Sequence, residues 1–503
     1  MELTFTVQFH NAALPGGERF GILTVKTAPG APVAQPRAIL FGLDRSGSMD
    51  DRCADGRTKI QHATHTTKNL YRMLAERAER VEGVEGLIAG VYAFDDKIQD
   101  VLPLGPLTPA VLPACLQKID AIAPCGGTNI ERALRHATSC IDGTAGGRTE
   151  VTHIFMTDGN ATEGRRDPGS LVKLVDPRAQ HIFIGYGLDH SARCLAALGA
   201  QPGAGYYFID QIEKGGLAFG EIFHKIFYTR YTGLTLEGQS GSGDGGGFNF
   251  YDFRTDTWVA RLPIDGWTTD TEKTYHFRYA AGDAQIVVSG VDKALNVTGV
   301  LATVAISKSE AGGGVNLQSY LFRQRTQELL FQAQKLDPEV GLPDQWPGRC
   351  IKTELKSLLA EIKAYMAANA LTEDPLLTSL CDDIVITRRT FGTAYGYMFA
   401  VGRINSNGQE RAYNICGVPP RVRGESSPLR SIGRSCSVAP ARVRFTTPDA
   451  ADAGSDVDGE GGLGENLGED PGEDDGHTLS HEPVFATRVT PSMGGLMRSA
   501  SLY

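Results

Sequence analysis

The sequence predicts an α/β protein: a doubly wound, mostly parallel sheet, with an additional β-sandwich, a small helical module and a disordered tail. Three observations carry this reading. Strand-length apolar runs alternate with amphipathic segments from residue 37 to 230. The run Ala38-Ile39-Leu40-Phe41-Gly42-Leu43 has no helical period, as suits a strand buried on both faces. It ends in Asp44, with Ser46 and Ser48 at alternate positions and Gly47 between them to let the chain turn. In open α/β sheets, ligand sites form beyond the carboxyl ends of the strands.

One carboxylate and two hydroxyls at such a place are hard oxygen donors, the chemistry a hard divalent cation asks for. Two later stretches add to them. Cys125-Gly126-Gly127-Thr128-Asn129 precedes an amphipathic segment and offers a third hydroxyl, and the apolar run 151–156 ends in Thr157-Asp158-Gly159. The set is consistent with an octahedral Mg²⁺ or Mn²⁺ that keeps water at open positions. Taken singly, these residues are turn and cap formers. The five together, in this order, are what point to a metal.

Asp44, Ser46, Ser48, Thr128 and Asp158 resemble the metal-ion-dependent adhesion site (MIDAS) of the von Willebrand factor type A (VWA) family, built from Asp-x-Ser-x-Ser, a distant Thr and a distant Asp. All five residue types are intact. The resemblance implies a Rossmann-like strand order and a Mg²⁺ (or Mn²⁺) whose last coordination position is filled by a partner's carboxylate. The stretches Ile184-Gly185-Tyr186-Gly187-Leu188-Asp189-His190 and Gly127-Thr128-Asn129-Ile130 look like the cytoplasmic VWA proteins, including the VWA region of plant RING-type ubiquitin ligases. This chain departs from those ligases in lacking a RING, so ligase activity does not carry over.

The 503 residues suggest about two to four domains. The formal net charge is -10, and an acidic cluster after Asp449 accounts for most of it. The folded part is therefore near neutral and gives no argument for nucleic-acid binding. The start Met1-Glu2-Leu3-Thr4-Phe5 lacks a basic patch and apolar core of a secretory signal, and no apolar run is long enough to span a membrane, so a cytoplasmic location is expected. Nine cysteines without a Cys-x-x-Cys pair read as thiols in a reducing compartment.

Residues 1–36 hold two strands, 2–9 and 20–27, and a Pro/Ala/Gly linker; too few to fold alone, the strands are expected to join a later sandwich. Residues 37–230 form the VWA domain. Its elements are a helix over 58–81, a strand over 87–94, a helix over 107–122 interrupted by Pro113, a helix after Thr128, strands at 151–156, 181–185 and 206–209, and helices at 191–198 and 217–228. Residues 231–310 carry short turn-punctuated strands at 234–236, 248–253, 257–262, 273–279, 285–290 and 300–306. If the sandwich is shared, Phe5 and Val7 face the same core as Val287 or Val304. Gly241-Ser242-Gly243-Asp244-Gly245-Gly246 fits a hairpin loop better than a dinucleotide site, since no clear βαβ unit surrounds it.

Residues 311–420 read as a helical module with helices at 315–336, 350–368 and 371–390, followed by an aromatic and basic segment through Tyr413 that suits packing within the module better than an interface. Residues 421–503 read as a basic, then acidic disordered tail, with a docking strip around Phe485, Met493, Leu496 and Met497.

These features favour a non-enzymatic binding module or adaptor that captures a partner's Asp or Glu through the metal. The alternative is a scaffold in a larger assembly, of the ubiquitin system or a virion, with a structural metal. No nucleophile elbow, Walker loop or His-Glu-x-x-His motif is present, and His62 and His65 lack a convincing partner group. The residue two after Asp44 is Ser46, not the Asp of haloacid-dehalogenase-type phosphatases.

Overall fold

The structure, a computed structural model, describes residues 3–13, 17–53, 56–80, 86–144, 149–187, 190–209, 215–240, 248–280, 284–306, 316–336, 348–393 and 395–411. The glycine-rich 241–246 stretch, Leu188, Asp189 and the charged tail lie outside them.

Strands β1 (Leu3–Ala13) and β2 (Arg19–Thr27) form an antiparallel hairpin. The chain then builds β3 (Arg37–Asp44), β4 (Ile88–Phe94), β5 (Ile98–Pro106), β6 (Glu150–Thr157), β7 (Gln180–Tyr186) and β8 (Ala204–Ile209). These make one sheet in the order β5-β4-β3-β6-β7-β8, parallel except for the β4–β5 pair. Every residue of β3 is buried, as a central parallel strand covered on both faces demands. The connecting helices are α1 (Lys59–Arg80), α2 (Leu112–Asp120), α3 (Ile130–Thr144), α4 (Pro168–Val172), α5 (Ala192–Gly199) and α6 (Gly215–Tyr228).

One expectation in this part is corrected, and two elements were not foreseen. β5 has no alternating or continuous apolar pattern and carries Pro103 and Pro106; it is an edge strand, where a missing N–H costs little. The helix expected over 107–122 starts only at Leu112, with Pro113 in its first turn, where proline is tolerated. The short α4, capped by the Asp167 carboxylate accepting from Ser170 N–H, carries no periodic signal.

After α6 come β9 (Thr229–Ser240), β10 (Phe248–Asp252), β11 (Thr257–Val259), β12 (Arg261–Thr268), β13 (Glu272–Tyr279), β14 (Ala284–Asp292) and β15 (Val297–Ile306). They form two antiparallel sheets, β1-β2-β13-β10-β11 and β12-β9-β14-β15. The run 257–262 is thus not one strand: it divides at Ala260 and serves both sheets. Val7, Phe9, Leu23, Phe277, Ile286 and Val288 share one buried core, and Phe5 and Val304 pack against it, while Val287 lies outside it. Lys26 of β2 pairs opposite Glu272 of β13, so the large α/β sheet interrupts the sandwich between β2 and β9. Buried Arg37 ties the two crossing points together, donating to Val33 O at 2.6 Å and Ile226 O at 3.2 Å. Arg230 and Asp292, both buried, join α6's exit to β14 through bonds of 2.9 and 2.7 Å.

The remaining helices are α7 (Leu317–Lys335), α8 (Gly348–Ala368), α9 (Pro375–Thr390) and α10 (Gly396–Gly408). The third helix begins at Pro375, not at residue 371, because Asp374 caps it by accepting from Leu377 N–H at 2.9 Å. The aromatic and basic stretch after Thr390 forms α10, whose end reaches three parts of the molecule. Asn407 and Glu410 bond Arg323 of α7. Lys273 of β13 donates to Gln409 O and Glu410 O at 2.6 and 2.7 Å. Arg411 donates to Tyr206 O of β8 at 2.7 Å and lies over the Tyr207 ring.

Candidate metal centre

β3 and β6 are parallel neighbours with Leu43 opposite Met156, so their carboxyl ends bring Asp44 beside Thr157 and Asp158. Beyond Asp44 the chain makes a short 3-10 turn over Gly47–Asp50, which points Ser46 and Ser48 back at the strand ends. Ser46 N–H donates to Asp44 Oδ1 at 2.7 Å, and the Thr157 hydroxyl donates to Asp44 Oδ2. Ser48 Oγ donates to Asp158 Oδ1 at 2.8 Å and lies 3.2 Å from Ser46 Oγ. Asp44 and Asp158 are both wholly buried.

Thr128 arrives from the loop before α3. Cys125 N–H donates to Arg45 O at 2.6 Å, and Gly47 N–H donates to Gly126 O at 3.1 Å, which laces that loop to the turn after β3. Gly126 has φ +68°, and a Cβ there would meet Asp96 Oδ1 at 2.3 Å, so only glycine fits this close approach. Asp95, at the end of β4, supports the arrangement: its backbone O accepts from Asn129 N–H, and its carboxylate pairs with Arg45 at 2.6 Å. Thr162 holds Thr128 through two bonds, Thr128 N–H to Thr162 Oγ1 at 2.7 Å and Thr162 N–H to Thr128 O at 2.9 Å.

At Gly159 a side chain would begin 3.5 Å from both Ser48 Oγ and Thr128 Oγ1. The missing Cβ leaves a cradle between hydroxyls from separate loops. All five sequence-predicted residues therefore border one region. Their donors are oxygens only, two carboxylate and three hydroxyl, which fits a hard divalent ion. Among the described residues no group of three or more His, Cys, Asp or Glu is placed to hold a metal ion. Burial, then the Asp158 charge, push the Asp44 carboxyl up to about 7 against hydrogen bonds from Thr157 and Ser46 that work the other way. Two buried acids that feel each other's charge are eased by a proton or by a cation.

One cation is already there, and the sequence reading missed it. Lys59 Nζ lies 2.6 Å from Asp158 Oδ2 and 3.5 Å from Asp51 Oδ2, its side chain 13% exposed. Lys59 is the first residue of α1. Thr58 and Gln61 fix that start with a reciprocal pair, Thr58 N–H to Gln61 Oε1 at 2.9 Å and Gln61 N–H to Thr58 Oγ1 at 3.4 Å. Thr-x-x-Gln was the signal that could have placed Lys59 at the helix start. His65, by contrast, bonds Asn69 one turn along α1.

Residues 39–160 match the model of the von Willebrand factor type A domain family. No curated protein matches the chain. Among solved structures, the von Willebrand factor type A protein from Catenulispora acidiphila is 15% identical with a TM-score of 0.50, over 75% of this chain and 88% of that one. The ArnB paralog VWA2 from Sulfolobus acidocaldarius is 14% identical with a TM-score of 0.46, over 81% and 98%. Proximal thread matrix protein 1 from the mussel byssus, with a zinc-occupied MIDAS motif, is 21% identical with a TM-score of 0.30, over 37% and 46%. The likeness to the first of these is one of fold.

Proposed function

We propose that the VWA domain of this chain is a non-enzymatic binding module that captures an acidic side chain of a protein partner through a divalent ion, as an intracellular adaptor of the kind suggested by its likeness to cytoplasmic VWA proteins. Ser46, Ser48 and Thr128 would hold Mg²⁺ or Mn²⁺, with Asp44 and Asp158 as the charged members of the set. When bound, the ion supplies a Lewis-acidic position for a carboxylate oxygen from outside. The chain's own residues do the rest. Thr157 and the Ser46 N–H fix the orientation of Asp44. Ser48 fixes Asp158. Three neutral hydroxyls leave more of the ion's charge for an incoming acid than carboxylates would.

The observation that carries this reading is the Gly159 cradle, flanked at 3.5 Å by hydroxyls that lie 80 positions apart in the chain. The test is affinity capture from cells with Mg²⁺ or with EDTA, using wild type, Asp44→Ala and Asp158→Ala. Capture is expected to need the ion and both aspartates. Capture that persists in EDTA and in both variants would leave the scaffold reading, in which any metal is structural.

A further inference from the structure

A Lys ammonium at a helix start is poorly placed by local rules, since the amino end of a helix carries partial positive charge. Lys59 sits there, on the first residue of α1, yet its side chain is mostly withdrawn from solvent and its Nζ touches Asp158 at 2.6 Å. The contact joins it to the polar chain Ser46–Ser48–Asp158 at the centre of the site. Asp158 Oδ1 accepts from Ser48 while Oδ2 accepts from Lys59, so the carboxylate is occupied on both oxygens. A second carboxylate stands ready for the ammonium: Asp51 Oδ2, 3.5 Å away on an exposed side chain.

We infer that Lys59 is a tethered monovalent cation that competes with the divalent ion for Asp158, and so sets how tightly this site takes a metal. The inference rests on the metal-binding reading proposed above. A divalent ion that uses Asp158, directly or through a water, meets an oxygen already held by a charge-assisted hydrogen bond. It also meets a like charge beside it. Both effects weaken metal binding, and both are relieved when the ammonium moves to Asp51. Lys59 thus keeps two buried acids tolerable without metal. It also biases the site toward conditions in which the ion and an acidic partner together outweigh the internal pair.

The experiment titrates Mn²⁺ into the full chain, with free ion followed by electron paramagnetic resonance, in wild type, Lys59→Gln, Lys59→Met and Lys59→Arg. Thermal unfolding is recorded in EDTA and in saturating Mn²⁺. Removal of the charge in Lys59→Gln and Lys59→Met is expected to tighten Mn²⁺ binding by roughly tenfold or more, the scale of one charge-assisted hydrogen bond. Lys59→Arg is expected to stay near wild type. The two uncharged variants are expected to melt lower than wild type in EDTA and to gain more from Mn²⁺. Unchanged or weaker Mn²⁺ binding in the uncharged variants, with wild type binding normally, overturns the role of Lys59 and leaves the metal centre standing. Saturable binding in none of the four proteins overturns the metal centre and this inference together.

Discussion

His276 shows how a single residue's surroundings set the pH response of the molecule. It lies at the contact of β13 and α7, with its ring against Phe20 and Tyr320. Gln324 turns its Oε1 to His276 Nδ1 at 2.7 Å and its amide to Glu328. His276 Nδ1 is therefore the donor, and buried Nε2, the unprotonated nitrogen, has no hydrogen-bond partner among the described residues. Burial, then the nearby Arg323 charge, push the imidazole down to about 3. A histidine held neutral in the fold contributes stability that is complete above its unfolded value and is lost as pH falls toward the folded one. By about pH 5 the loss from His276 is about 2 kcal/mol. Asp44, with its carboxyl raised to about 7, works in the opposite sense over the same interval. The difference between wild type and His276→Gln isolates the histidine. The fall in melting temperature from about pH 7 to about pH 5 is expected to be smaller in the variant. Equal slopes would place the acid sensitivity elsewhere, for instance at His224, which burial pushes to about 4.

At the same scale, the two parts of the site differed in how far they could be read. Asp44, Ser46, Ser48 and Asp158 stand at or just past the ends of recognisable apolar runs and Thr128 just before an amphipathic one, so their pattern was legible. Lys59 was not, because a lysine opening a helix carries no sign of its partner 99 positions away. Thr157 was also passed over as a support for Asp44, since its hydroxyl bond exists only once β3 and β6 are paired.

Among the elements, continuous burial made β3 and β6 legible, and their alternation with helices gave the α/β class. β5 was hidden because edge position, two prolines and a half-exposed surface remove the apolar pattern. α10 was hidden by its composition: its buried face includes Arg403 and Asn407, which bond Asp383 of α9 and Gln327 of α7, contacts that no periodicity reveals. The 125–129 loop gives a test at this scale. Gly126→Ala puts a Cβ into left-handed backbone and against Asp96 and Asp95. It is expected to cost about 1–3 kcal/mol in stability and to weaken Mn²⁺ binding by displacing Thr128. Denaturant titration and the same Mn²⁺ assay check both. An unaltered Mn²⁺ affinity would mean that the loop can yield without moving its hydroxyl.

In the whole molecule, the end of α10 contacts α7, β13 and β8. Asn407 and Glu410 hold α7, the backbone of Gln409 and Glu410 receives half-buried Lys273, and Arg411 reaches the last strand of the parallel sheet. Burial pushes the Lys273 ammonium down to about 8, against the raising effect of Glu410. Arg411→Ala removes a hydrogen bond to Tyr206 and a guanidinium centred 3.8 Å from the Tyr207 ring centroid. The expected cost is about 2–4 kcal/mol. It should fall on the coupling, so that calorimetry resolves the α/β sheet from the rest where wild type melts in a single transition. One transition in both proteins would show that the remaining contacts of α10 suffice.

The pairing of Lys26 with Glu272 sets a schedule for the nascent chain. The hairpin of β1 and β2 is made before the parallel sheet, yet the strand that covers its open side is made some 246 residues later. At roughly 5–20 residues per second, that is a wait of about 12–50 seconds. During it the intervening α/β sheet can close on itself, while the hairpin keeps an uncovered backbone rim of the sort chaperones shield. A chain cut short at residue 230 and released should therefore yield a protease-resistant centre with a cleavable β1–β2 hairpin, and slowed synthesis of the β10–β13 region should cost more yield than slowing within the parallel sheet.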